Sequence, residues 1–94
     1  VTFLAMALMI GGIAMPPAKY DHEPRRPYSV HYVDQMTANQ VCASKLREAA
    51  RGSNIWGCAV PLMNTIFVLE TLPPNKRKLV LRHERGHLNG WKHR

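Results

Sequence analysis

Three histidines and a glutamate carry the chemistry this sequence can do: His83, Glu84, His87 and His93, set with Gly90 in the pattern HExxHxxGxxH. Imidazoles four residues apart lie on one face of a helix, so His83 and His87 can ligate a single ion. Glu84, one step round, is then aimed at a water on that ion. Gly90 lets the backbone leave the helix through a conformation that a side chain disfavours, returning His93 as a third ligand. Three nitrogen ligands suit zinc and leave its fourth tetrahedral position open, the arrangement of a catalytic rather than a structural site. The predicted metal ligands are therefore His83, His87 and His93, the predicted cofactor is zinc, and the predicted general base is Glu84. At ordinary residue frequencies such a pattern arises by chance on the order of once in several hundred thousand chains of this length, so accident explains it poorly.

These residues need a helix beneath them. Leu72-Pro73-Pro74 turns the chain into it, because a first helical turn tolerates proline where amides are unpaired anyway; Thr71 and Asn75 are the candidate caps. At 100° per residue, His83 and His87 fall about 40° apart and Glu84 about 60° from His87. Leu81 and Leu88 form a neighbouring apolar ridge and Leu79 flanks the other side, while Lys78, Arg82 and Arg85 take the opposite, wet face. Trp91 reads as a packing residue that fixes the loop returning His93. Lys76-Arg77-Lys78 reads as solvated charge, with an anion-contacting patch as the alternative.

Upstream, residues 64–70 contain the continuously apolar run Thr65-Ile66-Phe67-Val68-Leu69, expected as a central strand covered on one side by a helix. Residues 28–33 alternate, with Tyr28, Val30 and Tyr32 on one face and Ser29, His31 and Val33 on the other, giving a short strand. A scaffold helix is expected over residues 38–51. Thr37 would cap it with Gln40 three residues on, and Met36 would staple over Val41. Val41, Cys42, Leu46 and Ala49 would be its buried stripe, and Gly52 would end it. The predicted fold class is α+β: a minimal domain with a short β-sheet, a scaffold helix and a C-terminal zinc-binding helix.

Residues 1–18 contain no charged side chain and are apolar up to Pro16-Pro17-Ala18, which reads as the hydrophobic part of an export signal and places the protein in the periplasm or outside the cell. A membrane anchor and a buried core segment are the alternatives, the run being short against the roughly 20 residues of a span. Residues 19–94 are then one small domain carrying the whole +7 charge. Within it, residues 19–27 mix both charge signs with turn residues and read as an extended entry or linker. A core this small needs staples. Cys42 and Cys58 are the only cysteines, and a disulfide between them would close a loop of about 16 residues, worth about 3 kcal/mol. Two buried free thiols are the alternative. No cysteine-rich finger and no convincing spacing of aromatics accompany the basic charge, which argues against nucleic acid as a partner.

The pattern at His83, Glu84, His87, Gly90 and His93 resembles the zinc-binding consensus of the metzincin clan of metallopeptidases. That resemblance implies a zincin-like fold, the three histidines as ligands, Glu84 as the catalytic glutamate, Gly90 as the helix-turn glycine, and a peptide or protein substrate. HExxH followed by Gly90-Trp91 and a histidine is also similar to small exported bacterial proteins. The clan's methionine turn lies downstream of its third histidine, whereas Met36 and Met63 lie upstream of this motif. In the implied chemistry zinc acidifies a bound water and Glu84 carries its proton to the leaving amine. Tyr28, Tyr32, His31 or an arginine are candidates to stabilise the carbonyl's developing charge. A noncatalytic zinc-stabilised binding or structural module is the alternative function, and a non-peptidase zinc hydrolase or a basic nucleic-acid binder the third.

Overall fold

The computed structural model describes residues 13–42 and 55–92. Three predicted features lie outside the described residues: the apolar segment before residue 13, the scaffold helix beyond Cys42 with Leu46 and Ala49, and the third predicted ligand, His93. The described elements run β1 (Ser29–Val33), α1 (Gln35–Val41), β2 (Gly57–Val60), β3 (Thr65–Leu69) and α2 (Pro74–Leu88), with single 3-10 turns at Ala18–Tyr20 and Pro61–Met63. The fold class is α+β, as expected. No helix among the described residues is long and apolar enough to cross a membrane.

The apolar run at 65–69 is the middle strand of a three-stranded sheet ordered β1-β3-β2. It pairs parallel with β1 and antiparallel with β2, so every backbone polar group along it can be bonded from both sides. Ile66 and Val68 are fully buried in the main core, together with Ala38, Leu69, Leu72 and Val80. Successive strand residues face opposite ways, so Cys58 and its cross-strand partner Phe67 look away from the face that Val68 and its partner Gly57 share. On the Gly57 side α2 lies very close: a Cβ on Gly57 would stand 2.8 Å from Val80 Cγ1 and 2.6 Å from the Phe67 carbonyl oxygen. On the other side Cys58 joins Cys42 in the expected disulfide, with Cα atoms 5.9 Å apart, and the pair is buried with Ile55.

Helix α1 starts earlier than its sequence suggested. Asp34 caps it, its carboxylate accepting from the Thr37 amide at 2.8 Å, so Thr37 supplies a backbone donor inside the first turn instead of a cap. Moving the start back by three residues puts Met36 and Val41 on the outside, 71% and 39% exposed, and the staple between them is not made. Cys42 is buried as expected, and Ala38 rather than Val41 is buried beside it. Hydrogen bonds from Thr37 hold the Asp34 carboxyl below its ordinary pKa.

Strand β1 alternates only in part. Tyr28 and Val30 pack against the core, but Tyr32 is exposed beneath the Arg77 guanidinium, 5.4 Å from its ring centre. His31 stacks on Phe67, its register partner.

Helix α2 begins at Pro74 in its first position with Pro73 as cap, and no side chain caps it. Neither Thr71 nor Asn75 has that role, because the cap position falls on Pro73, whose extended backbone leads into the helix but whose ring has no acceptor to offer the first amides. Lys78 is exposed, as expected of solvated charge, but four other basic residues of the helix have contacts. Lys76 lies over the Trp56 ring, Arg77 donates to the Leu72 carbonyl and covers Tyr32, and Arg82 and Arg85 pair with carboxylates of the segment before β1.

Candidate metal centre

Helix α2 brings His83, Glu84 and His87 into one group. Val80 fastens the helix to the sheet one turn earlier, and His83 and Glu84 are each only 5% exposed, well inside the fold rather than on a wet face. One ligand atom from each of the three residues lies within 4.8 Å of the others, a grouping that could hold a metal ion.

The hydrogen bonds of the two rings fix what their nitrogens can do. His83 Nδ1 donates to the Ala14 carbonyl at 2.7 Å, and His87 Nδ1 donates to the Trp91 carbonyl at 2.7 Å. A carbonyl oxygen only accepts, so each Nδ1 carries a proton and Nε2 is the nitrogen through which either ring can ligate a metal ion. The two Nε2 atoms face each other at 3.1 Å. Two ring nitrogens at that separation are spaced to share one positive charge, a cation or a proton. Nitrogens held about 2.0–2.1 Å from one tetrahedral zinc would stand about 3.3 Å apart, close to the observed separation. An Nδ1–H to carbonyl bond is also the usual means by which an outer partner fixes a ligating imidazole's tautomer and orientation.

The helix end is built to return Trp91 to these rings. Asn89 is the C-cap and Gly90 follows at φ 104°, in the left-handed region expected for it. The Gly90 amide donates to the His87 carbonyl and the Trp91 amide to the Gly86 carbonyl, both at 3.0 Å, which together make a Schellman ending. Trp91 then stacks on His87 with planes 9° apart and meets His83 edge-on. This is the packing role expected of Trp91, extended by its carbonyl bond to His87. His93, the third predicted ligand, lies outside the described residues.

A second element holds the centre from the other side. Residues 13–23 run along α2 as a strap. Pro16 is buried against Gly86, where an added Cβ would come within 2.7 Å of the proline ring, and Ile13 packs on the core. Arg82 Nε donates to both carboxylate oxygens of Asp21 at 2.9 and 3.2 Å, with its Nη2 donating to one of them as well. That bond, more than any other influence, lowers the Asp21 pKa and raises that of Arg82. Asn89 Nδ2 donates to the carbonyls of Tyr20 and His22 at 2.9 and 2.7 Å. Residues 19–27 were expected as an extended entry or linker; their first half is pinned to the helix.

The candidates for carbonyl stabilisation have partners elsewhere. Tyr28 donates to Glu23, Tyr32 lies under Arg77, and His31 stacks on Phe67. The contributions that sequence reading missed come from backbone: the carbonyls of Ala14 and Trp91. No side-chain pattern marks a carbonyl, although the small residues at Ala14 and Gly86 were compatible with a close approach.

No family model, curated protein or solved structure matches the chain.

Proposed function

We propose that the chain is a zinc-dependent metallopeptidase in which His83 and His87 hold the metal, His93 completes the ligand set and Glu84 is the general base. The observation that carries this reading is the 3.1 Å approach of two Nε2 atoms whose rings each spend their Nδ1 proton on a main-chain carbonyl. A zinc ion held there supplies Lewis acidity toward a scissile carbonyl and lowers the pKa of water. Glu84 belongs to the same group as both rings, which supports a role for its carboxylate in accepting a proton from an attacking water and returning it to the departing amine. The rings keep their orientation through the Ala14 and Trp91 carbonyls. An exported setting, in the periplasm or outside the cell, fits a chain stapled by a disulfide.

One observation favours a second reading. His83 and Glu84 are 95% buried, as expected of a noncatalytic zinc-stabilised module in which the metal holds a small core together. The two readings part on Glu84. Peptide hydrolysis is to be measured with a mixed peptide library on the zinc-loaded protein and on Glu84→Gln at matched zinc content. The peptidase reading expects cleavage by the first and a loss of at least about a hundredfold in the second, the size usual for a general base. Equal rates in both, or no cleavage by either, favour the module.

A further inference from the structure

We propose that the strap at residues 13–23 is a positioning element of the metal centre: it sets the tautomer and direction of His83, and thereby the protein's affinity for metal. This rests on the metal reading above for its consequence, but not for its geometry.

The two rings are held by different parts of the chain. His87 is tied locally, to a carbonyl four residues on that the Schellman ending fixes. His83 is tied to a carbonyl 69 residues away in sequence. A bond of that span is made only while the strap lies on the helix, so its persistence depends on whatever pins the strap. Beside Ile13 on the core and the longer Glu23–Arg85 pair, three groups of contacts do so. Pro16 fills the groove over Gly86, Asp21 grips Arg82 through both carboxylate oxygens, and Asn89 collects the Tyr20 and His22 carbonyls. These anchors lie on one side of α2: at 100° per residue, Gly86, Arg82 and Asn89 fall about 60°, 100° and 120° from His83 on its side away from His87. The strap therefore approaches His83 from behind, meets its Nδ1, and leaves its Nε2 directed at His87.

Without the Ala14 carbonyl, His83 would be free to place its proton on either nitrogen. An Nε2–H tautomer cannot ligate through that atom, so part of the population would be incompetent and the apparent affinity would fall accordingly. Loss of an outer partner of a ligating histidine typically costs about 10- to 100-fold in metal affinity. The strap also sets a condition on processing. A leader cleaved after Ala14 or Ala18 would carry off or unseat the carbonyl and Pro16, so in this proposal residues 13–18 stay with the folded protein.

Asp21 and Asn89 are the positioning residues to test, because Asp21 reaches from the strap to Arg82 and Asn89 from the helix end to the strap, and each makes these bonds away from the rings. Asp21→Asn with Asn89→Asp removes the ion pair and the amide donor while leaving every predicted ligand. A second form replaces Met15 by its α-hydroxy analogue in a chain assembled by ligation. The Ala14 carbonyl then becomes an ester carbonyl, a weaker acceptor, with no side chain changed. In metal-free protein, the imidazole nitrogen shifts of His83 and His87 are read by NMR; zinc affinity is read by competition with a chelator.

The expected result is a shift of His83 toward mixed tautomers in both forms, with His87 unmoved and zinc affinity about tenfold weaker or more. An unchanged His83 in both forms overturns the positioning role, as does an equal response of the two rings, which would indicate general loosening. The tautomer reading is made without metal. A His83 that responds in a protein binding no zinc under any condition would therefore overturn the metal reading alone.

Discussion

The Nε2 atoms of His83 and His87 stand 3.1 Å apart, each on a ring whose Nδ1 is committed to a main-chain carbonyl. Four residues of helix bring the rings to one face, but helical spacing alone does not aim them at each other. That requires the two carbonyls, one delivered by the turn after α2 and the other by the strap before β1. The centre is thus the meeting point of three segments, and changes in any of them have separable consequences.

Gly90 at φ 104° lies where a β-carbon is strained, and its amide and that of Trp91 close the helix end. Gly90→Ala is expected to cost about 1–2 kcal/mol in stability. It should also weaken metal binding, because the Trp91 carbonyl that orients His87 moves with the turn. Chemical denaturation and chelator competition on one preparation check both effects.

Gly57 shows how tightly α2 lies on the sheet. Gly57→Ala puts a Cβ within 2.6 Å of the Phe67 carbonyl oxygen and 2.8 Å of Val80, so the helix must lift or Val80 must move. The expected loss is about 1–3 kcal/mol. Denaturant unfolding measures it, and a change below about 0.5 kcal/mol would mean that the helix is not held as closely as described.

The disulfide between Cys42 and Cys58 spans 16 residues. Replacing both cysteines by serine is expected to cost about 3 kcal/mol in the chain-entropy account, with added metal recovering part of the lost stability through binding to the folded state. Thermal unfolding of the double variant with and without zinc tests this.

Two carboxylates tie stability to acid. Bonds from Arg82 lower the Asp21 pKa and bonds from Thr37 lower that of Asp34, both from an ordinary 3.8. A lowered carboxylate pKa means that the folded state binds the proton less readily than the unfolded one. Its contribution is therefore fully present above the ordinary value and is lost as pH falls through the lowered one. The wild type should exceed Asp21→Asn and Asp34→Asn in unfolding midpoint at neutral pH, and the gaps should close in strong acid. A gap that persists unchanged at the lowest pH would show that the carboxylate charge is not what stabilises.

Much of this was legible from sequence where local rules decide. The run at Thr65 to Leu69 has to be buried on both faces, and it is the central strand. His83 and His87 share a helical face through spacing, Gly90 adopts the positive φ its position required, and Cys42 and Cys58 had only each other within the sequence. The misses lie where neighbouring residues competed for one role. Asp34 and Thr37 can both cap, and the aspartate three residues earlier prevails because Thr37 then offers its amide to it. Pro73 and Pro74 begin α2 without a side-chain cap, so Thr71 and Asn75 had nothing to do. The strap was the least legible part. Its function rests on the Ala14 carbonyl and on pairs such as Asp21 with Arg82, 61 residues apart, and no local pattern announces contacts of that range.

The most direct test of the metal centre is a cobalt(II) titration of the metal-free protein, followed by visible absorption, beside His83→Ala and His87→Ala. The account predicts one ion per chain, intense bands of a tetrahedral nitrogen-ligated ion, displacement by zinc, and loss of those bands in both variants. No stoichiometric uptake by the wild type, or a spectrum unaltered when either histidine is removed, would contradict it.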